Sequence, residues 1–270
     1  MDKSIFCIVL LVLNVQIVSA QQTGSWGDQG DGTYKNPILN ADGIGESVLQ
    51  HKKPIQGFPI TAPASDDSFD AATLGRQWEW NHTPRMSHWS LTERRGWLRL
   101  KASQPIPTKK YKGKKNTQVF WRACNTVSQR IMGTTTGTAV AKFDLAGMQP
   151  GQQAGFVRFG GVFNLLGVQV DDQGTRQLFY MSNDDATVQC PEITGSTLYI
   201  KTSNQGNQAT YSYSTDRKSF QRFGPAFTIA FGKWTGDRLG FFCWNEKQEK
   251  GYIDVDWFTY DYDGPKGKTK

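Results

Sequence analysis

The stretch that decides the fold is Trp89-Ser90-Leu91-Thr92-Glu93-Arg94-Arg95-Gly96-Trp97-Leu98-Arg99-Leu100-Lys101. Trp89 to Glu93 alternates apolar and polar residues, the pattern of a strand with one buried face. Arg94-Arg95-Gly96 reads as a turn, with glycine where a positive φ is required. Trp97 to Lys101 then resumes the alternation. The stretch predicts the first hairpin of an antiparallel sandwich. It closes the segment Ser65–Lys101, which holds four of the nine tryptophans, residues that suit pleated, half-buried surfaces.

The same pattern continues downstream. Phe120-Trp121-Arg122 leads into Asn125–Arg130. Thr134–Leu145 is rich in Thr and Val and alternates. Ala154–Val170 is mostly apolar with glycine punctuation and predicts two core strands joined by a tight turn. Gln177–Met181, Thr197–Lys201, Thr210–Ser214, Arg238–Trp244 and Tyr252–Tyr260 complete the set. Short strands at regular spacing, with Gly, Asn and Asp between them and no stripe of period 3.6, predict an all-β antiparallel sandwich over residues 65–263. The chain has 270 residues, and a sandwich of this size buries enough surface to fold without a metal or a disulfide.

Upstream, the reading changes. Lys3, the apolar run Ile5–Val18 and the small residues Val18-Ser19-Ala20 read as a signal peptide, residues 1–20, expected to be cut after Ala20. This predicts export to the periplasm or the medium. The run is too short and too interrupted for a membrane span. Residues 21–64 are Gly-rich and then Pro-rich, a flexible segment and linker. Residues 264–270 form a basic tail. The net charge of +7 is concentrated in Lys109, Lys110, Lys112, Lys114 and Lys115. That cluster reads as a solvated loop; no nucleic-acid module accompanies it. Cys7 leaves with the signal. Cys124, Cys190 and Cys243 allow at most one bridge and read as three buried, unpaired thiols.

One family resembles this chain. Phe69-Asp70, Leu74-Gly75-Arg76-Gln77-Trp78-Glu79-Trp80-Asn81-His82, Trp89-Ser90-Leu91-Thr92-Glu93-Arg94, Tyr211–Asp216 and Gly251–Phe258 occur in an order that is similar to the C-terminal concanavalin A-like domain of family 43 glycoside hydrolases. Those enzymes are β-xylosidases and α-L-arabinofuranosidases. The resemblance covers about residues 65–262 and implies a concanavalin A-like jelly roll. Tyr34–Asp42 resembles the opening of the family's catalytic five-bladed propeller, and Lys52–Pro63 the segment that leaves it. Gly45 falls where the resemblance places the general base. The chain thus resembles such an enzyme with an internal deletion between about Asp42 and Lys52.

The chemistry follows. Inverting hydrolysis needs an acid and a base on carboxylates about 6.5–9.5 Å apart, held by a rigid scaffold. The family carries these on the missing propeller, so no residue here is assigned a catalytic role. Glu93 reads as a structural partner of Arg94, Arg95 or Arg99, and Asp184-Asp185 as a polar turn. His51, His82 and His88 lack a nucleophile in an elbow context. A module that binds sugars offers aromatic faces and a few polar groups. The candidates for ligand contact are Trp78, Trp80, His82, Trp234 and Arg238. Trp234 and Arg238 flank the loop Gly232–Arg238, which by resemblance lies at the propeller's substrate pocket. Asp254 and Asp256 alternate on the last strand, where Asp67, with Asp66 and Asp70 beside it, could join them around a structural Ca²⁺; no cofactor is otherwise required. The expected function is a non-catalytic, carbohydrate-associated module whose partners are xylan, arabinoxylan or a catalytic protein. A glycoside hydrolase acting on xylan oligosaccharides and a structural remnant without ligand are the alternatives.

Overall fold

The computed structural model describes residues 64–108, 118–132, 135–183, 187–230, 232 and 236–263, without the side chains of 187–190. The expected signal peptide, the N-terminal segment, the lysine-rich loop, Asp184-Asp185, Trp234 and the basic tail lie outside them.

The strands are β1 (Glu79–Trp80), β2 (Trp89–Ser90), β3 (Leu98–Lys101), β4 (Val127–Arg130), β5 (Thr136–Asp144), β6 (Gln152–Phe159), β7 (Phe163–Val170), β8 (Arg176–Ser182), β9 (Thr187–Glu192), β10 (Thr197–Gln205), β11 (Gln208–Ser214), β12 (Gln221–Thr228), β13 (Arg238–Asn245) and β14 (Tyr252–Tyr262). They form two seven-stranded antiparallel sheets. Sheet I runs β1–β4–β13–β6–β7–β8–β9 and sheet II runs β12–β11–β10–β5–β14–β3–β2. This is the concanavalin A-like sandwich that the sequence predicts.

The opening hairpin forms as β2 on β3, with Trp89 opposite Leu100 and Ser90 opposite Arg99. Gly96 sits at φ +75°, a conformation that costs a side chain free energy and glycine little. Leu98 and Leu100 point into the core. Arg99 and Lys101 point out, where Lys101 (2.6 Å) and Arg99 (3.4 Å) pair with Glu93.

Between the sheets lies an aromatic centre. The ring of Phe241 on β13 meets Phe156, Phe143 and Phe258 edge-on at 5.7–5.8 Å. Each such side chain contributes about 1.5–3 kcal/mol when fully buried. A second apolar cluster lies on the outer side of sheet I. There Val157, Phe159, Phe163, Leu165, Phe179, Phe242 and Trp244 pack under Phe120 and Ala123. Residues Val119–Arg122 form a single helical turn, α1, where the sequence reading has a lead-in to a strand. The turn places Phe120 against Phe163 at 4.7 Å, and that contact outweighs the β preference of Val and the aromatics. β9 and β12, which the sequence pattern does not predict, add an edge strand to each sheet. Cys124 and Cys243 are buried free thiols. Burial pushes the Cys243 thiol up to about 12, so it behaves as a small apolar residue.

Candidate functional site

The loop expected to carry ligand contacts connects β12 to β13, and its two ends are tightly fixed. At one end Gly161 donates its N–H to the Ala230 carbonyl, 2.8 Å. A Cβ on Gly160 would stand 2.4 Å from that same oxygen and 2.8 Å from the Gly236 oxygen, so only glycine lets the β6–β7 turn pack against the loop. At the other end, consecutive residues of β13 and its approach face opposite sides of sheet I. Asp237 points between the sheets, where Arg158 donates to its Oδ2 from Nε (2.8 Å) and Nη2 (2.6 Å). Both side chains are 3% exposed. Burial raises the Asp237 carboxyl, and Arg158 opposes that rise. Arg158 also reaches Asn204 Oδ1 at 3.1 Å.

Arg238 faces the outer side. Its Nη2 donates to Glu79 Oε2 at 2.6 Å, and Arg130 takes the other Glu79 oxygen at 3.3 Å. The Arg238 side chain is 7% exposed and Glu79 is 41% exposed. A positively charged Arg–Glu–Arg cluster therefore stands at the base of the loop. Trp234 falls outside the described residues.

The other candidates are dispersed. Trp78 is in the core, its ring tilted or edge-on to Phe69, Phe241 and Phe258 at 5.3–5.7 Å, with its indole N–H donated to Asp67 Oδ2 at 2.7 Å. Trp80 faces the same core from its edge, tilted against Trp89 at 5.2 Å. His82 Nε2 donates to the Trp121 carbonyl at 2.8 Å, tying β1 to α1. Trp78 is enclosed, while Trp80 and His82 are half-buried.

The acidic candidates are separated too. The start of the sandwich does meet β14, since Asp67 exchanges backbone hydrogen bonds with Phe258, and Asp66 Oδ1 accepts from Tyr260 N at 2.7 Å. Yet Asp67 is occupied by Trp78, Gln77 and the Phe69 N–H. Asp254 is held by Arg99 through both oxygens at 2.8 Å and by Arg94 at 2.9 Å. Asp256 pairs with Lys142 at 2.6 Å. Among the described residues no three His, Cys, Asp or Glu side chains are grouped to hold a metal.

One arrangement escaped the sequence reading. Ser87 Oγ contacts His88 Nδ1 at 2.9 Å, and His88 Nε2 lies 3.6 Å from Glu249. This resembles a nucleophile–base–acid relay in composition only. Glu249 is engaged by both guanidinium nitrogens of Arg85. Burial, followed by Arg85, lowers the His88 pKa.

The family model of the β-xylosidase C-terminal concanavalin A-like domain matches residues 66–261. The chain belongs to that family. A β-xylosidase of Formosa agariphila is 64% identical over 243 residues, covering 85% of this chain and 41% of the relative. A putative β-xylosidase of Xylanibacter ruminicola is 31% identical over 214 residues, covering 76% of this chain and 36% of the relative. The chain thus spans about two fifths of the length of these relatives. Among solved structures, the bifunctional GH43-CE protein of Bacteroides eggerthii superposes with TM-score 0.63 at 23% identity, over 74% of this chain and 26% of that one. The GH43 protein BlXynB of Bacillus licheniformis gives 0.59 at 23%, over 72% and 38%. At such identities these two likenesses establish the fold of this family-43 sandwich and nothing finer.

Proposed function

We propose that this chain is an exported, non-catalytic, carbohydrate-associated module of xylan degradation. The observation that carries the reading is the commitment of its buried and half-buried carboxylates. Asp237 is bound to Arg158, Asp254 to Arg94 and Arg99, and Asp67 to Trp78 and Gln77. A hydrolase needs one carboxyl free to give a proton and one free to activate water. Groups locked into guanidinium and indole contacts serve neither role. The partners are xylan or arabinoxylan, or a catalytic protein that acts on them. Family membership and the named activity of the relatives support the choice of substrate class.

The 64% identical relative named a β-xylosidase favours a second reading, a glycoside hydrolase. Titration calorimetry of the full chain with xylo-oligosaccharides and arabinoxylan fragments separates the two. Saturating heats are expected. A sustained heat proportional to protein concentration means turnover and overturns the non-catalytic reading. Silence from a folded protein overturns the carbohydrate association itself.

A further inference from the structure

The outer face of sheet I changes character along its strands. Toward the β6–β7 turn it is apolar and lies under α1. Toward the opposite end it carries one row of side chains in direct cross-strand register. Trp244 of β13 stands opposite Gln153 of β6, Gln153 opposite Gln169 of β7, Gln169 opposite Gln177 of β8, and Gln177 opposite Glu192 of β9.

The row is hydrogen-bonded in one direction. The Trp244 indole N–H donates to Gln153 Oε1 at 2.8 Å, Gln153 Nε2 to Gln169 Oε1 at 3.3 Å, and Gln169 Nε2 to Gln177 Oε1 at 3.4 Å. An amide has two N–H donors and two acceptor lone pairs. Each central glutamine therefore keeps one donor and one acceptor for an outside group. Their orientation is set at the buried end, because Trp244 is fully buried and fixes which way Gln153 points.

Gln153 and Gln169 line an open groove of about 340 Å³, bordered by Gly151, Val170, the turn Asp171–Gln173 and Lys247. The border carries one net negative charge, and each charged group on it already has a partner. Lys247 pairs with Asp172, and Asp171 Oδ1 accepts from the Gln173 and Thr175 N–H groups. The floor is neutral, and every floor amide presents both hydrogen-bond senses.

We propose that this amide row is a binding site for an extended, neutral polysaccharide chain lying across the strands. Hydroxyl groups donate and accept, as the glutamines do. The strand spacing of about 4.8 Å is close to the length of one sugar ring along an extended chain, so successive rings meet successive amides. An anionic ligand finds no free cation on this floor, and an apolar ligand would strand the amides without partners. The choice of a xylan backbone rests on the function proposed above.

The test is calorimetry of the full chain with xylohexaose, paired with NMR of the glutamine side-chain amides. The expected result is saturable binding, with selective shifts of the Gln153, Gln169 and Gln177 amide signals. A Gln153→Ala/Gln169→Ala/Gln177→Ala variant, checked for native thermal unfolding, should lose at least tenfold in affinity. Lys201→Ala, on sheet II, should lose none. Binding that survives in the triple variant, or that leaves the three amide signals unmoved in the wild type, overturns the groove while leaving the carbohydrate reading intact. If wild-type chain fails to bind xylohexaose and arabinoxylan alike, both fail. The amide signals decide the matter even if the triple variant misfolds.

Discussion

Sheet I and sheet II contain the same number of strands, yet their sequences are written differently. Strand β5 of sheet II alternates: Ala139, Ala141 and Phe143 are buried, while Thr138, Val140, Lys142 and Asp144 are part-exposed. Strand β13 of sheet I is buried at every position. The difference is one of covering. Among the described residues sheet II has one open face, and its outward side chains form water-facing pairs and cation–aromatic contacts, such as Arg94 over Trp97 at 3.6 Å and Arg217 over Trp257 at 4.7 Å. Sheet I is covered by α1 over part of its second face, so its outward positions under α1 become apolar too. A strand buried on both faces reads as a continuous apolar run, and a strand with one wet face reads as an alternation.

The largest effect is expected at the ion pair enclosed between the sheets, the reference against which an exposed pair on sheet II is set. Arg158→Met leaves the Asp237 carboxylate buried without its cation. The expected loss is about 3–5 kcal/mol of unfolding free energy at neutral pH, measured by urea denaturation. The loss should shrink on acidification. Burial already raises the Asp237 carboxyl, and removing Arg158 removes what holds it down. A carboxyl raised in the folded state contributes stability below its unfolded value and loses it as pH rises through the folded value. The variant should therefore regain ground relative to wild type as pH falls from 7 toward 4. A loss that stays constant with pH would mean that the arginine acts through packing alone.

A smaller effect tests the double covering of sheet I. Gly155 and Gly167 stand opposite each other on its outer face, and the Phe242 ring reaches over them. A Cβ on Gly167 would stand 2.8 Å from the ring's Cζ and 2.3 Å from the Ala154 oxygen. Gly167→Ala should cost about 1–3 kcal/mol through overpacking. Val140→Ala, on the open face of sheet II, should change stability far less, within about 0.5 kcal/mol of the typical surface range. Equal effects from the two substitutions would remove the distinction between a covered and an open sheet.

These two sheets also explain which parts were legible. The alternating segments of sheet II and the first hairpin could be read directly, because period 2 is a local property. The β6–β7 hairpin was legible as two apolar strands joined by a tight turn. Its register, which places Gln153 opposite Gln169, follows from counting outward from that turn. What the pair then does depends on Trp244, far along the chain. Val119–Arg122 resisted reading because its composition suits a strand; its helical turn comes from contact with Phe159 and Phe163. The family motif located Trp78 and Arg238, but residue type alone could not say that Trp78 faces the core or that Glu79 engages Arg238. The acidic residues near β14 were placed correctly in the chain. Which cations held them was a matter of facing: Asp254 and Asp256 point outward to Arg94, Arg99 and Lys142, while Asp67 turns to an indole.

The smallest expected effect lies on the open face of sheet II. Lys142 pairs with Asp256 at 2.6 Å, with both side chains 25% exposed, and its Nζ lies 5.1 Å from the Trp97 ring centre. The distance is as short as the closest contact between Arg158 and Asp237, so distance alone would predict equal importance. Solvent decides otherwise. Water screens the exposed pair and rehydrates Asp256 once its partner is gone, and about 0–1 kcal/mol is the ordinary worth of such a pair. Lys142→Met should therefore shift the urea midpoint little, and the shift should fade with added salt. The methionine keeps an apolar stem against Trp97, so packing is largely retained. If Lys142→Met costs as much as Arg158→Met, then the open face is less wet than its alternation implies, and a covering partner on sheet II would have to be sought.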